Sequence, residues 1–285
     1  MNLDLFRFSP GLYFAPAVDW LNTNFHPIFE AVTRLIEAVL GALESALLYP
    51  PAYVLIVAAI LLAGFVINIR AAAVTAVALT FCLLAGLWAA SMQTLALVTV
   101  AVAISVLVAF PLGILASRHK GFEIAIRPLL DIMQTVPPWV YLIPAVMIFS
   151  LGRVPAIIAT IVYGVPPMLR LTTLAFNQVP KDLLELGQAT GAPPRAILTK
   201  IEIPSAMPTL LVGLNQCILL SLAMVVLAGL VGAGGLGAEV TRGLTRMEMG
   251  LGLRAGLAIV AIAILLDRLS KGVLQGHARS PAKSA

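Results

Sequence analysis

Residues 94–116 read TLALVTVAVAISVLVAFPLGILA, an apolar stretch of 23 residues without a charged side chain. A helix of about 20 apolar residues is long enough to cross the hydrocarbon core of a bilayer. Because that core offers no water to hydrogen-bond the backbone, such a segment is stable there as a helix. The stretch therefore predicts a transmembrane helix, and similar runs on both sides of it predict an all-α, polytopic membrane protein.

Six further apolar runs have lengths that suit membrane spans. Hydrophobic residues make up 60% of the 285 residues, and charged residues make up 11%, compared with about 25% charged residues in ordinary soluble domains. Little of the chain is left for a large soluble domain. About seven transmembrane helices are predicted, at 52–68, 71–90, 94–116, 132–151, 154–169, 209–231 and 250–266.

The basic residues predict the orientation of these helices, because cytoplasmic loops carry an excess of Lys and Arg. Seven spans place the two ends of the chain on opposite sides of the membrane. If the N-terminus is outside, twelve of the 18 basic residues face the cytoplasm. They are Arg70, Arg118, Lys120, Arg127, Arg170, Lys181, Arg195, Lys200, Arg268, Lys271, Arg279 and Lys283. We therefore expect the N-terminus outside and the C-terminus in the cytoplasm.

The N-terminal segment, residues 1–50, carries an amphipathic pattern. Between residues 27 and 48 apolar side chains recur at helical spacing, and Glu30, Glu37 and Glu44 share the opposite face. We expect this helix to lie along the outer membrane surface or to pack on a partner subunit. The rest of the chain divides into two leading transmembrane helices at 51–91, a transmembrane core at 92–272 and a cytoplasmic tail at 273–285.

A polar, charged insert at 176–208 separates two of the predicted spans. It is longer than the two to eight residues, roughly, that usually join helices of a bundle. Pro180 and Asp182 predict the start of a short helix, and Gly191 predicts its end. A proline pair then opens a second helix, which we expect to end at Pro204. The insert is thus predicted to be a helix-turn-helix that lies parallel to the membrane on the cytoplasmic side.

The residues of this insert resemble the coupling loop of binding-protein-dependent ABC importer permeases. In that family Glu-Ala-Ala is followed, after three residues, by Gly, and after nine more by Ile, any residue, an aliphatic residue and Pro. The insert keeps this spacing but has Leu186 and Gly187 in place of the two alanines. A glycine inside a helix lowers its stability by about 0.5 to 1 kcal/mol relative to alanine. The residues assigned to coupling are Glu185, Leu186, Gly187, Gly191, Arg195, Ile201 and Pro204.

The resemblance implies a type I ABC importer permease fold and a mechanical role for the insert. The short helix would sit in a cleft of a separate ATPase subunit, with Glu185 as the charged contact, and would move when the ATPase dimer closes around ATP. Force can pass between subunits only through such a rigid element. The implied partners are the ATPase, an external substrate-binding protein, a second copy of the chain in a homodimer, and membrane lipid. The implied location is the cell inner (cytoplasmic) membrane.

Other stretches resemble one branch of these importers, the quaternary-amine permeases for glycine betaine, proline betaine and choline. They are PLLDIMQTVP at 128–137, VYLIP at 140–144, the proline pair at 166–167, Asn215-Gln216, MVV at 224–226, GGLG at 234–237 and most of 20–51. The resemblance implies that the chain forms the translocation path for a quaternary ammonium solute. It also implies that an external binding protein selects that solute.

Polar and aromatic residues in or near the spans are candidates for this path. The candidates are Asp131, Gln134, Trp139, Tyr141, Asn215 and Gln216. Polar groups in a membrane are costly unless they face a cavity or another helix, and aromatic faces attract quaternary ammonium groups by about 0.5 to 2 kcal/mol. Alternatively, the aromatic residues serve in the core or the interface belt, and the amides join helices. The prolines at 137–138 and 166–167 are expected to break or kink the fourth and fifth spans.

Other functions lack the residues they need. No lysine follows a glycine, so a Walker A sequence is absent and ATP hydrolysis must come from a separate subunit rather than from this chain. The histidines lie far apart and the two cysteines have no partner at motif spacing, so we expect no metal, no cofactor and no catalytic residues. The positive charge lies near predicted membrane faces, and no nucleic acid is expected. The remaining alternative is a secondary transporter of a small cationic solute, which would show inverted repeats and intramembrane charges.

Overall fold

The computed structural model describes residues 11–278, which form helices joined by short turns and contain no strand. Side chains are described for residues 16–272. In chain order the α-helices are α1 (Gly11–Leu48), α2 (Ala52–Val66), α3 (Ile69–Leu84), α4 (Trp88–Arg118), α5 (Lys120–Thr135), α6 (Leu142–Phe149), α7 (Arg153–Asn177), α8 (Lys181–Ala189), α9 (Pro194–Ile197), α10 (Ile203–Leu230), α11 (Gly235–Thr245) and α12 (Met249–Ala278). A 3-10 turn (Pro138–Tyr141) precedes α6, and a π-turn (Leu198–Glu202) joins α9 to α10.

Among the described residues, four helical segments are long and apolar enough to cross a membrane alone: α4, α7, the run from α9 to α10, and α12. Two bent pairs can each count as one more span, namely α1 with α2, bent by 96°, and α5 with residues 138–149, bent by 105°. By length and composition, the described helices thus provide four to six spans, compared with the predicted number of about seven. With 15 and 16 residues, α2 and α3 are about 23 Å long, shorter than the roughly 30 Å hydrocarbon core. The orientation of the two termini stays a prediction.

The predicted fourth span, 132–151, is not one continuous helix. Its first residues belong to α5, which ends at Thr135, and the chain is extended at Val136 and Pro137. A residue that precedes proline is pushed out of the α-helical region by the proline ring. Two successive prolines at 137 and 138 therefore end α5 and redirect the chain into the 3-10 turn and α6.

The centre of the bundle is formed by α4, α7 and α10. Here α7 runs unbroken through Pro166 and Pro167, so of the predicted break or kink in the fifth span the break does not occur. Gly164 explains how α7 is held: a Cβ at this position would lie 3.0 Å from the Cys217 sulfur and 3.2 Å from the Ser105 hydroxyl. Small residues let three helices approach this closely, and their packing maintains α7 as a single helix.

The predicted amphipathic helix is present as part of α1, which begins at Gly11 rather than near residue 27. Ile36 and Leu40 are buried in a cluster with residues of α4 and α7. On the polar face, both Glu37 and Glu44 form salt bridges with Arg153 at the start of α7, each at 2.8 Å. One face of α1 is therefore packed on the bundle and fixed to it by ionic contacts.

Candidate functional site

The predicted short helix of the insert is α8, and it ends as the sequence predicts. Gly191 has φ +71°, a left-handed conformation that a glycine adopts without steric cost. The Ala192 N–H donates to the Gly187 carbonyl at 3.0 Å, and the Gly191 N–H donates to the Gln188 carbonyl at 2.9 Å. These bonds satisfy carbonyls at the C-terminus of the helix, so α8 is a short, sharply ended element.

The second helix of the insert does not end at Pro204. The chain continues from α9 through the π-turn into α10, with Pro204 in the first turn of α10. In the π-turn the Ile203 N–H donates to the Leu198 carbonyl. Proline has no N–H and is tolerated in the first turn of a helix, where that group would lack an acceptor. The insert is therefore directly continuous with a central transmembrane helix.

Gly187 is the point at which α8 contacts this continuous segment. It is buried, and a Cβ at this position would lie 2.8 Å from Ile201 Cδ1 and 3.3 Å from Ile197 Cγ1. The glycine therefore lets the backbone of α8 approach the π-turn closely. Packed side chains leave little free space between them, so α8 and the π-turn are in direct contact.

The opposite face of α8 is exposed. Glu185 and Leu186 lie on the surface, with Leu186 60% exposed, and Arg195 is also exposed at the start of α9. Among the described side chains, Glu185 forms no salt bridge. A charged residue beside exposed leucine on a rigid helix can bind a partner with a polar-rimmed, partly apolar cleft.

An ion pair that sequence reasoning missed links the π-turn to α4. Arg118, the last residue of α4, donates from Nη2 to both carboxylate oxygens of Glu202, at 2.6 Å and 2.5 Å. The Glu202 side chain is only 4% exposed, whereas that of Arg118 is 48% exposed. An acidic residue between two isoleucines, at 201 and 203, is the sequence signal of a buried charge that needs a partner. The pair joins the C-terminus of α4 to the π-turn that precedes α10.

Two of the candidate path residues come together with a third residue. Arg170 on α7 donates from Nη1 to Gln134 at 2.6 Å and from Nη2 to Asp131 at 2.5 Å. Asp131 and Gln134 are three residues apart on α5 and therefore share a helix face. Asp131 and Arg170 line a cleft of about 460 Å³ between α4, α5 and α7, together with Glu123 and Arg127. This cleft carries charges of both signs beside apolar walls.

The other candidate path residues lie apart from this cleft. Trp139 is 61% exposed, and the Tyr141 hydroxyl donates to the Ile132 carbonyl at 2.9 Å. Asn215 accepts a hydrogen bond from Ser270 of α12 at 3.2 Å, as expected for an amide that joins helices. Gln216 is exposed. The structure thus brings Asp131 and Gln134 together and does not bring the remaining four residues to the same place.

Comparison with known proteins shows to which family this arrangement belongs. Residues 105–276 match the family described as "Binding-protein-dependent transport system inner membrane component". The chain belongs to this family. Its members are the permease subunits of ABC transporters, so the permease is a multi-pass inner membrane protein whose ATPase is a separate subunit. The alternative of a secondary transporter is not supported.

Individual relatives and solved structures resemble the permease over most of its length. It is 43% identical over 256 residues to the glycine betaine/proline betaine transport system permease protein ProW of Escherichia coli (strain K12), covering 90% of this chain and 72% of that protein. It is 38% identical to the glycine betaine transport system permease protein OpuAB of Bacillus subtilis (strain 168), covering 90% and 91%. An inward-facing structure of the MetNI methionine ABC transporter has the same fold, with a TM-score of 0.57 and 22% identity over 65% of this chain and 92% of that chain. The predicted all-α type I permease fold is confirmed.

Proposed function

We propose that the permease forms the path by which a quaternary ammonium solute, namely glycine betaine, proline betaine or choline, crosses the inner membrane into the cell. The similarity to ProW carries this proposal, because that relative is named for glycine betaine and proline betaine and matches 90% of the chain. The source of energy is ATP hydrolysis by the separate ATPase subunit. An external binding protein delivers the solute to the permease.

The charges of the cleft suit a betaine. Glycine betaine carries a quaternary ammonium group, which cannot donate a hydrogen bond, and a carboxylate. Asp131 can attract the ammonium group and Arg170 can bind the carboxylate with two parallel N–H donors. In the present structure these two side chains bind each other. A zwitterion that enters the cleft offers each of them a replacement partner of the same charge.

The permease works as a homodimer with two ATPase subunits, and α8 couples the two kinds of subunit. Closure of the ATPase dimer around ATP displaces α8. Contact at Gly187 and the Arg118–Glu202 ion pair pass the displacement to α10 and α4. ATP binding favours the outward-facing arrangement to the extent that ATP binds more tightly to the ATPase in that state.

The test is uptake of labelled glycine betaine and choline by proteoliposomes that contain the permease, its ATPase and its binding protein, with and without ATP. We expect uptake of both solutes to require ATP. Arg170→Gln removes the charge and at least one of the two donors, so it should lower the uptake of glycine betaine about tenfold or more. It should lower choline uptake less, because choline has no carboxylate. Arg34→Gln on α1 is the matched control. Uptake without ATP, or an equal loss for both solutes, would contradict the proposal.

The homodimer has its own test. Two copies of the permease with different affinity tags are produced together with one ATPase, and the complex is purified on the first tag. Recovery of the second tag in a complex with the ATPase supports a homodimer. Recovery of only the first tag, with the ATPase bound, would show that one copy is enough.

A further inference from the structure

A basic cavity lies where α12 passes the turn between α2 and α3. It has a volume of about 400 Å³ and is lined by Asn68, Arg70, Arg268 and Lys271, with Val74 on the apolar side. The cavity lies apart from α8 and from the cleft at Arg170, so neither the coupling surface nor the proposed path accounts for it.

The charges in this cavity are not balanced. Lys271 forms a salt bridge with Asp267 at 2.7 Å. Arg70 and Arg268 are exposed, and within residues 16–272 neither forms a salt bridge. Three cationic side chains therefore face one carboxylate, and the local charge is about +2. Unpaired charges beside a membrane span are costly, so the cavity favours the binding of an anion.

An apolar groove leads away from the basic cavity between α3 and α12. Its volume is about 450 Å³, and its walls include Val74, Val77, Phe81, Val260 and Ile264. Val74 lines both the cavity and the groove. From residue 74 to residue 81 the groove follows about 10 Å of helix. Val77 is 72% exposed, so the groove is open to the surroundings of the bundle.

At the basic cavity, α12 is held close to the turn between α2 and α3. A Cβ at Gly272 would lie 2.0 Å from Ile67 Cγ2, so α12 presses directly against the α2–α3 turn. On the other side of the turn, the Asn68 side chain accepts a hydrogen bond from the Ala71 N–H at 2.8 Å and caps α3. The backbone segments that carry Arg70 and Arg268 are therefore held close to each other.

We propose that this site binds an anionic phospholipid. The headgroup phosphate lies between Arg70 and Arg268, and an acyl chain lies in the groove between α3 and α12. Guanidinium groups bind phosphate oxygens with parallel hydrogen bonds, and basic pockets between transmembrane helices bind anionic headgroups. The groove removes the acyl chain from the bulk lipid but keeps it in apolar surroundings.

The charges argue against a second copy of the permease as the occupant. A two-fold contact brings the same surface of both subunits together. At the far end of this face Arg254 donates to the Ala85 carbonyl at 3.3 Å, so both ends are basic. The carboxylate at the near end, Asp267, is already paired with Lys271. Within the described part of this face, a second copy would therefore offer no unpaired acidic side chain to Arg70 and Arg268.

The proposal is tested with the full-length permease and its ATPase in nanodiscs of phosphatidylcholine that contain a photoreactive phosphatidylglycerol. After irradiation, mass spectrometry identifies the labelled peptides. We expect labelling of α3 and α12, at a level about tenfold higher than that of a photoreactive phosphatidylcholine at the same mole fraction. Equal labelling by the two lipids, or labelling by phosphatidylglycerol elsewhere on the chain only, would overturn the proposal.

Variants separate the headgroup from the acyl chain. The double variant Arg70→Gln/Arg268→Gln should lose the preference for phosphatidylglycerol, and the matched control Arg34→Gln/Arg246→Gln, which removes the same charge from exposed arginines elsewhere, should keep it. Val260→Trp, which fills the groove without a change of charge, should also reduce labelling of α3. Retention of the preference in the first variant would contradict the proposal.

Two further outcomes identify a different occupant. If inorganic phosphate at millimolar concentration abolishes the labelling and Val260→Trp leaves it unchanged, the site binds a soluble anion and the groove plays no part. If Val77→Cys instead forms disulfide-linked dimers at high yield and the labelling is absent, the face is an interface between copies. Both results would overturn the proposal. The wild-type comparison of the two lipids remains decisive even if a variant fails to fold.

Discussion

The ion pair between Arg118 and Glu202 predicts an asymmetric effect of its two single substitutions. Replacement of Arg118 by methionine leaves a carboxylate that is 4% exposed without a cation, whereas replacement of Glu202 by methionine leaves a guanidinium that is 48% exposed. Removal of one partner from a buried pair costs about 3 to 5 kcal/mol. We expect a loss close to this range for Arg118→Met. For Glu202→Met we expect about 1 to 2 kcal/mol, because water can solvate the remaining arginine.

The assay is the free energy of unfolding of the purified permease in a titration from mild detergent to SDS. The double variant Arg118→Met/Glu202→Met should be more stable than Arg118→Met alone, because it removes the unpaired buried carboxylate. A double-mutant cycle measures this interaction directly. Equal losses in the two single variants, or losses that simply add in the double variant, would refute the reasoning.

The same pair predicts an effect on transport. Because it connects the π-turn to α4, its loss should let α8 move without α4. In proteoliposomes with the ATPase and the binding protein, Glu202→Met should therefore lower the amount of solute taken up per ATP hydrolysed. An unchanged ratio in a folded variant would mean that contact at Gly187 alone transmits the motion.

Two other positions give testable predictions. Gly187→Ala should change the free energy of unfolding by less than about 1 kcal/mol, because the gain in helix propensity of about 0.5 to 1 kcal/mol opposes a close contact that the flexible end of Ile201 can relieve. Gly187→Leu should lower the free energy of unfolding by about 1 to 3 kcal/mol through overpacking. It should also reduce the stimulation of the ATPase by the loaded binding protein. Equal stability of Gly187→Ala and Gly187→Leu would contradict the predicted overpacking. Arg153→Met removes both salt bridges to α1, so hydrogen exchange over residues 30–48 should become faster, and unchanged exchange would show that apolar packing alone holds α1.

The sequence predicts the helices and the insert because those features depend on neighbouring residues. Apolar runs, the proline at 180 and the glycine at 191 act locally, and their positions determine where helices start and stop. The proline pair at 137–138 likewise predicts the break in the fourth span, which lies between α5 and α6. The bend of 105° at this break was not predicted, because the apolar pattern continues through it and hydropathy does not record a change of direction.

Contacts between distant segments could not be predicted in the same way. Glu202 lies 84 residues from Arg118, and Arg170 lies 36 and 39 residues from Gln134 and Asp131. The sequence indicates that each buried or intramembrane charge needs a partner, but only the packing of the helices determines which partner it has. The continuation of the insert into α10 likewise depends on a π-turn, which has no simple sequence signature.

The central claim is that α8 couples the ATPase to the path, and it is tested most directly with one charge reversal. ATP-driven uptake and ATP hydrolysis are measured together in proteoliposomes for the wild type, for Glu185→Arg and for Asp182→Arg, a matched reversal of another exposed acid on the same helix. We predict that Glu185→Arg abolishes uptake while the complex stays folded and the basal ATPase activity persists, and that Asp182→Arg retains most of the uptake. Wild-type uptake per ATP in the Glu185→Arg variant would contradict the account.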